Sequence, residues 1–395
     1  MRAERSGNPL DVRPNRPCSA GPVTLFLGGD VMPGRGLDQI LPHPGDPRLR
    51  EPWVGDARYY VRAAEEVSAP IDPPVDFSWP WGEALRIIDG VGPDARVINL
   101  ESSVTRGDTF APGKAVHYRM TPENLPCVTA VAPDLCVLAN NHVLDFGPPG
   151  LEDTLGSLSE AGLLYAGAGR DAGEVTRPAV VPVGSDRRVV VLACGATSSG
   201  IPPEWAASGQ DAGVSVLPDL SEATADGLTE RLRDVRRHGD VVVVSVHWGS
   251  NWGYEVPCEQ VRFAHRLIEG GVHVVHGHSS HHPRPIEMYR GGLVLYGSGD
   301  LLDDYEGIGT DERYRDDLRL LYFPEVLPDG GLSRLRIAVT RVHRMRLCSA
   351  SAEDARWVCS VLSRTGHRFG TRVDPDGRGM LILGTAVGPA GRSDS

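Results

Sequence analysis

The chain has 395 residues, with 40 Lys or Arg against 52 Asp or Glu, which gives a net charge of −12. An acidic balance of this size argues against nucleic acid as a partner. The chain contains a single lysine, Lys114, which argues against Schiff-base catalysis and against lysine-rich phosphate clamps.

The two ends of the chain differ in composition from the rest. Residues 1–20 are charged and rich in proline, without the apolar segment of a signal peptide, and we expect a flexible leader there and a flexible tail over 386–395. No apolar run approaches the roughly 20 residues that cross a bilayer. The seven cysteines are scattered and form no CxxC motif, which is typical of reduced thiols. We therefore expect a cytoplasmic protein without membrane contact.

Apolar runs and helical spacing predict an alternation of strands and helices in the first half of the chain. In chain order we predict a strand over 23–28, a helix over 58–67, a strand over 95–100, a helix over 122–132, a strand over 134–139 and a helix over 150–161.

The second half continues this alternation and then changes to hairpins. We predict a strand over 188–193, a helix over 217–236, a strand over 240–246, a helix over 259–269, strands over 272–275 and 292–296, a hairpin of 318–327 with 332–342, a helix over 352–364 and two short strands after it. The pattern favours an α/β fold with a mixed sheet core and flanking helices.

Residues 42–81 are rich in Pro, Asp and aromatic residues and read as an insertion. Such a segment forms either a lid that supplies aromatic walls to a site or a surface excursion packed by its own aromatic residues. We expect it to belong to a main domain over 21–345, on which the helix and short strands of 346–385 pack.

Histidines are concentrated in one short stretch. Of the 13 in the chain, five lie within ten residues, around the end of the predicted strand 272–275: His273, His276, His278, His281 and His282. Imidazole at the end of a strand serves metal ligation or proton transfer. A polar loop with solvated histidines is the alternative.

Other predicted strands end in residues of the same chemistry. The set comprises Asp30; Glu101; Asn141, His142 and Asp145; His247; and His278 with His281. Each alone is explained by capping, backbone hydrogen bonding or packing. Since the carboxyl ends of strands gather on one rim of a sheet, we expect them to converge around a divalent cation, and the sequence does not distinguish Mn, Zn, Fe, Mg and Ca. Asp145, three residues after His142, would orient its ring.

Six motifs in order resemble one family. GGDVMPGR, NLESSVT, LANNHVLDFG, SVHWGSNWG, GHSSHHPRPIE and YGSGDLLDDYEG are similar to the CapA-type poly-γ-glutamate synthesis proteins of the calcineurin-like metallophosphoesterase superfamily. The resemblance covers residues 22–345 and implies a four-layer α/β/β/α sandwich with mixed sheets.

The resemblance also implies roles for single residues. Asp30 would hold one metal ion, Glu101 would take the place of a bridging aspartate, and His142 backed by Asp145 would transfer protons. The second ion would be held by Asn141, His247 and His278, with His281 turned toward the first. No organic cofactor is implied. Where phosphoesterases of the superfamily have Asp-x-His, this chain has Met32. A thioether is a poor ligand for a hard cation, which favours a single ion and argues against phosphatase activity.

Some members of this group resemble the epimerase of lasso-peptide pathways. We therefore expect a peptide substrate and epimerisation at the α-carbon of its C-terminal residue, with His142 and a second acid–base group near a metal ion. The candidates for that group are His281, His282, Asp300 and Asp304. A poly-γ-glutamate synthesis factor and a phosphoesterase are the alternatives.

Candidate substrate contacts have structural alternatives. Arg35 or Arg119 would hold a substrate carboxylate or form a structural salt bridge. Four tryptophans would either line a pocket for a substrate side chain or pack in the core. They are Trp79, Trp81, Trp248 and Trp252. The oligomeric state is left open by the sequence.

Overall fold

A ten-stranded and a six-stranded sheet form the centre of the molecule, in a computed structural model that describes residues 21–309 and 312–385. The predicted leader and tail lie outside these residues. The strands are β1 (Val23–Val31), β2 (Ala95–Leu100), β3 (Ser103–Val104), β4 (Arg119–Met120), β5 (Leu135–Val137), β6 (Leu164–Ala166), β7 (Ala168–Gly169), β8 (Ala179–Val183), β9 (Arg187–Gly195), β10 (Gly213–Val214), β11 (Val241–His247), β12 (Val274–His278), β13 (Ile286–Tyr289), β14 (Gly292–Leu295), β15 (Asp300–Leu302), β16 (Leu318–Val326), β17 (Leu332–Val342), β18 (Leu347–Ser349), β19 (Thr371–Pro375) and β20 (Leu381–Thr385).

The helices connect these strands. They are α1 (Gly36–Ile40), α2 (Arg58–Val67), α3 (Glu83–Val91), α4 (Pro126–Thr129), α5 (Gly147–Glu160), α6 (Ala172–Val175), α7 (Glu222–Val235), α8 (Cys258–Glu269) and α9 (Ala352–Gly366). None of the helices in the described ranges is long and apolar enough to cross a membrane.

Both large sheets are mixed. The larger has the order β19-β20-β17-β16-β1-β2-β5-β6, with β15 paired to β1 and β18 paired to β17 outside this order, and the smaller has the order β13-β14-β12-β11-β9-β8. Strands β1, β2, β5 and β6 run parallel, as do β9, β11, β12 and β14, whereas β16 pairs antiparallel with β1. In each sheet the parallel strands therefore end at the same edge, and the residues that follow these strands lie along that edge.

Alternate side chains of β11 show how the layers stack. Val243 faces the core between the two sheets, whereas Val244 packs with Leu232 of α7 and Phe263 of α8 on the outer side. Helices α3, α4 and α5 connect the parallel strands of the larger sheet and bury residues such as Leu155 in the same core as that sheet. The predicted α/β/β/α sandwich with mixed sheets is confirmed.

Several element boundaries differ from the prediction. The helix expected over 122–132 is a 3₁₀ turn followed by α4, which begins at Pro126, a residue suited to the first helical turn. The helix expected from residue 217 begins at Glu222, because Ser221 caps it by accepting from the Thr224 N–H. Strand β12 reaches His278, three residues beyond the predicted end, so His276 and His278 are strand residues.

The insertion and the C-terminal region are both tied to the main sheet. Within 42–81, Trp81 is fully buried and donates to the carbonyl oxygen of Cys127, and Trp79 donates to that of Arg344. After α9, strands β19 and β20 extend the larger sheet beside β17. These tryptophans pack the fold rather than line the cluster described below.

Gly29 allows β1 to approach the turn before β15. A Cβ atom at Gly29 would lie 1.8 Å from the carbonyl oxygen of Gly299. The same approach places the Asp30 N–H 3.1 Å from that oxygen and pairs Asp30 with Asp300. The absence of a side chain at residue 29 therefore positions two carboxylates.

We expect Gly29→Ala to lower the free energy of unfolding by about 3 kcal/mol, because backbone atoms must separate to admit the methyl group. Urea denaturation measures this. Gly156→Ala in α5 is the matched control, since a Cβ there meets nothing within 4 Å; it should raise stability by about 0.5–1 kcal/mol. Wild-type stability in Gly29→Ala would contradict the close approach.

Candidate metal centre and acid–base pair

The register of β11 and β12 brings two histidines together. His247 and His278 are direct partners in the parallel ladder, and their Nδ1 atoms lie 2.7 Å apart. Asp30, at the end of β1 in the other sheet, places Oδ1 3.8 Å from Nδ1 of His278. In the described part of the chain, Asp30, His247 and His278 are the one group of three His, Cys, Asp or Glu whose ligand atoms lie within 4.8 Å of one another, and all three are buried.

Two further predicted ligands lie close to His247 of this group. Its Nε2 lies 3.0 Å from Oδ1 of Asn141 and 3.8 Å from Oε1 of Glu101. The structure therefore brings five of the predicted ligands into one cluster: Asp30, Glu101, Asn141, His247 and His278.

Asn99 was not predicted, yet it orders the carboxylates of the cluster. Its Nδ2 donates to Oδ1 of Asp30 at 2.8 Å and to Oε2 of Glu101 at 2.9 Å. In β2 it lies two residues before Glu101 and opposite Asp30 in the ladder. This spacing, which puts residues i and i+2 on one side of a strand, was the signal that could have identified it.

The electrostatics of the cluster suit a cation. Burial, followed by repulsion from Asp300, raises the pKa of Asp30 to about 7, and burial with repulsion from Asp30 raises the pKa of Glu101 well above its usual range. Burial also lowers the pKa values of His247 and His278 well below normal, which keeps both rings neutral and able to bind metal. A divalent ion would offset the carboxylate repulsion, and mixed nitrogen and oxygen donors suit Mn, Fe or Zn.

His281, the sixth predicted ligand, lies beside this group rather than within it. Its Nδ1 lies 3.0 Å from Oδ1 of Asp300, and its Nε2 lies 3.0 Å from Nδ2 of Asn251. Burial disfavours its protonated form, but the neighbouring carboxylate of Asp300 outweighs burial and raises the pKa of His281. The ring of Trp252 lies 5.3 Å away, so this tryptophan flanks the site.

Met32 occupies the position where the resemblance places a histidine ligand. It is buried, and its Sδ lies 4.0 Å from the hydroxyl of Tyr305. Tyr305 in turn shares a hydrogen bond with Tyr118, whose ring meets that of His142 edge-on at 4.4 Å. Two phenols thus connect the surroundings of Met32 with His142.

His142 and Asp145 form the predicted pair. Nδ1 of His142 lies 2.6 Å from Oδ2 of Asp145, which also accepts from the Tyr118 N–H. Burial, partly opposed by Asp145, lowers the pKa of His142 to about 4, so the ring is neutral near pH 7. Burial and then the charge of a protonated His142 lower the pKa of His247, so the His142 ring lies within electrostatic range of the cluster.

Lys114, the single lysine of the chain, is a site residue that the sequence reasoning missed. Its Nζ donates to Oδ1 of Asp145 and to the carbonyl oxygen of Asn141, and lies 3.3 Å from Nδ1 of His142. Burial alone would raise the pKa of Asp145. The charges of His142 and then Lys114 outweigh burial and lower the pKa of Asp145. The uniqueness of this lysine was the available signal.

The two candidate arginines are engaged within the protein. The guanidinium of Arg35 is buried, donates to Asp304 and Glu51, and packs over the Tyr60 ring at 4.0 Å. Arg119 donates to the carbonyl oxygens of Gly107 and Asp46 at 2.7 and 2.9 Å. Arg35 therefore forms the structural salt bridge that was the alternative to substrate binding, and Arg119 binds backbone carbonyl oxygens.

Trp248 is fully buried and packs against Phe263 and Tyr296. Of the four tryptophans considered as substrate walls, Trp252 is the one beside the cluster. Asp304 is occupied by Arg35, and Nε2 of His282 accepts from the Gly253 N–H at 3.1 Å. Among the candidates for a second acid–base group, Asp300 and His281 are the two whose charges act on Asp30 of the cluster.

Comparison with known proteins gives a consistent assignment. The model of the family "Bacterial capsule synthesis protein PGA_cap" matches residues 24–305. A probable polyglutamine synthesis accessory protein of Mycobacterium tuberculosis is 51% identical over 353 residues, 89% of this chain and 93% of that protein. The capsule biosynthesis protein CapA of Bacillus anthracis is 26% identical over 71% of this chain and 60% of its own length.

A crystal structure of a 5'-nucleotidase precursor from Thermus thermophilus aligns with a TM-score of 0.44 at 15% identity, over 88% of this chain and 58% of that one. The family match spans most of β1 to β15 and every residue of the cluster described above. The resemblance seen in the six sequence motifs is thereby confirmed, and the chain belongs to the bacterial capsule synthesis protein PGA_cap family.

Proposed function

We propose that this protein is a metal-dependent enzyme of polyglutamate synthesis that cleaves amide bonds of a glutamate polymer. The observation that carries the proposal is the His142–Asp145 pair next to the cluster of Asp30, His247 and His278. A neutral imidazole held by a carboxylate is a general base, and the neighbouring cluster suits a Lewis-acidic cation.

Five residues would hold the ion, namely Asp30, Glu101, Asn141, His247 and His278. When bound, the ion would supply polarisation of a substrate carbonyl and charge for the developing oxyanion. Asp145 binds Nδ1 of His142, which leaves Nε2 for proton transfer. His142 would take a proton from water as its oxygen adds to the carbonyl carbon, and return it to the amine nitrogen as the C–N bond breaks.

The partly exposed residues of the site support an approach of substrate from their side. Asn141 is half-buried, and the side chains of Lys114 and His281 are 13% and 16% exposed, whereas His247 and His278 are each 1% exposed. Nζ of Lys114 lies 4.9 Å from the Trp205 ring centre. This rim offers aromatic rings and one ammonium group, which is already paired with Asp145, to a carboxylate-bearing chain.

The comparisons favour one of the readings that the sequence left open. The names of the relatives refer to polyglutamine and capsule synthesis, which supports the polyglutamate alternative. Epimerisation of a lasso-type precursor peptide, which the sequence favoured, receives no support from them. A phosphoesterase would clamp the phosphate between two ions, whereas the described residues contain a single group of three His, Cys, Asp or Glu ligands.

The test is incubation of the metal-loaded protein with poly-γ-glutamate and with poly-α-glutamate. We expect chelator-sensitive release of new amino groups and a shift to shorter chains by size-exclusion chromatography. Unchanged polymer in both assays would overturn the proposal. Incorporation of deuterium at α-carbons in D₂O without shortening would assign the site to epimerisation instead, and release of p-nitrophenol from its phosphate would assign it to phosphoester hydrolysis.

A further inference from the structure

Two short sequence patterns meet in register at the centre of the smaller sheet. Strand β11 ends in Ser245-Val246-His247 and β12 ends in His276-Gly277-His278, and the ladder pairs Ser245 with His276 and His247 with His278. Since residues i and i+2 of a strand point to the same face, four polar side chains form one block. All four are at most 1% exposed.

Hydrogen bonds cross this block. The hydroxyl of Ser245 lies 2.8 Å from Nε2 of His278 and 3.2 Å from Nδ1 of His276. Buried polar groups of this kind are costly when unpaired, at about 1–3 kcal/mol each. A serine hydroxyl has one proton, so it donates to one of these rings and accepts from the other.

We propose that Ser245 and His276 are positioning residues that set the tautomer of the metal ligand His278. His278 can bind a cation through Nδ1 only when its own proton is on Nε2, so in this arrangement Nε2–H of His278 donates to Ser245 and the Ser245 hydroxyl donates to Nδ1 of His276. Nδ1 of His278 is then unprotonated and presents its lone pair toward Asp30 and His247. The inference rests on the metal centre of the proposed function and is independent of the reaction.

The geometry around Nδ1 of His278 shows why its tautomer matters. This nitrogen lies 2.7 Å from Nδ1 of His247. A proton on it would be shared between the two rings as a hydrogen bond and would block the lone pair that a cation needs. Outer partners that fix the tautomer of a ligating imidazole typically change metal affinity by about 10- to 100-fold.

The test measures tautomers and metal affinity. In the metal-free full-length protein, ¹⁵N NMR of labelled histidine should show His278 protonated at Nε2. In Ser245→Ala we expect a mixture of tautomers and affinity for Zn²⁺ and Mn²⁺, measured by chelator competition, lowered about 10- to 100-fold. His276→Leu, which removes the acceptor for the serine proton, should shift the tautomer in the same direction.

Two variants separate this role from simple packing. Ser199→Ala is the matched control, since that buried hydroxyl donates to the carbonyl oxygen of Ala196 at 2.7 Å; its metal affinity should equal that of the wild type. Ser245→Thr keeps the hydroxyl and should restore affinity.

Protonation of His278 at Nδ1 in the wild type would overturn the inference even if no variant folds, as would undiminished affinity in folded Ser245→Ala. A protein that shows these tautomer and affinity effects but leaves glutamate polymers intact would refute the proposed function alone.

Discussion

Replacing His278 with alanine is expected to reduce bound divalent metal from about one ion per chain to none, because it removes a nitrogen donor from the only described three-residue ligand group. The result is measurable by plasma mass spectrometry after gel filtration. A metal present at about 100 times its dissociation constant should also raise the unfolding free energy of the wild type by about 2.7 kcal/mol. The same metal concentration should leave the unfolding free energy of His278→Ala unchanged.

His367→Ala provides the control, because that histidine is exposed and follows α9, in a part of the chain that does not contribute to the cluster. It should bind metal like the wild type. Unchanged metal content in His278→Ala would mean that the ion, if any, binds elsewhere, and the ligand assignment would have to be abandoned.

Replacing His142 with glutamine is expected to lower turnover of the glutamate polymer by a factor of about 10²–10⁴ while metal content stays at the wild-type level, since the imidazole transfers protons but does not belong to the ligand group. Rates of amine release at saturating polymer, together with metal analysis of the same samples, give both quantities. Asp145→Asn should have a similar effect, because it removes the carboxylate that holds Nδ1.

His265→Gln is a suitable comparison for this variant. That histidine stacks on Tyr289 at 3.5 Å and binds Glu287, away from the cluster, so turnover should not change. Full activity in His142→Gln would remove this residue from the mechanism. A parallel loss of metal would instead make it a ligand.

The convergence of the ligands was predictable because it follows from local patterns. Valine-rich runs identify β11 and β12, and residues at the carboxyl ends of neighbouring parallel strands meet at one edge. The positions of His247 and His278 therefore followed once their strands were recognised. The same rule, with the family resemblance, gave the positions of Asp30 and Glu101.

The environment of Arg35 was not predictable, because its partners are far apart in the chain. Asp304 lies 269 residues away and Glu51 belongs to the aromatic-rich segment, so the sequence shows neither contact. Lys114 lies in an irregular segment between β3 and β4, where no periodicity indicates which way a side chain points. Side chains in such segments are positioned by tertiary contacts alone.

The place of β1 in the larger sheet has a consequence for how the protein is made. Strand β1, the first of the described strands, lies between β2 and β16, and Asp30 pairs with Asp300. Contacts between such distant residues form slowly, and domains assemble as their segments are synthesised. The metal-binding edge therefore cannot assemble during translation before His278 has been synthesised, and β1 cannot pair with β16 before residues 318–326 have been synthesised.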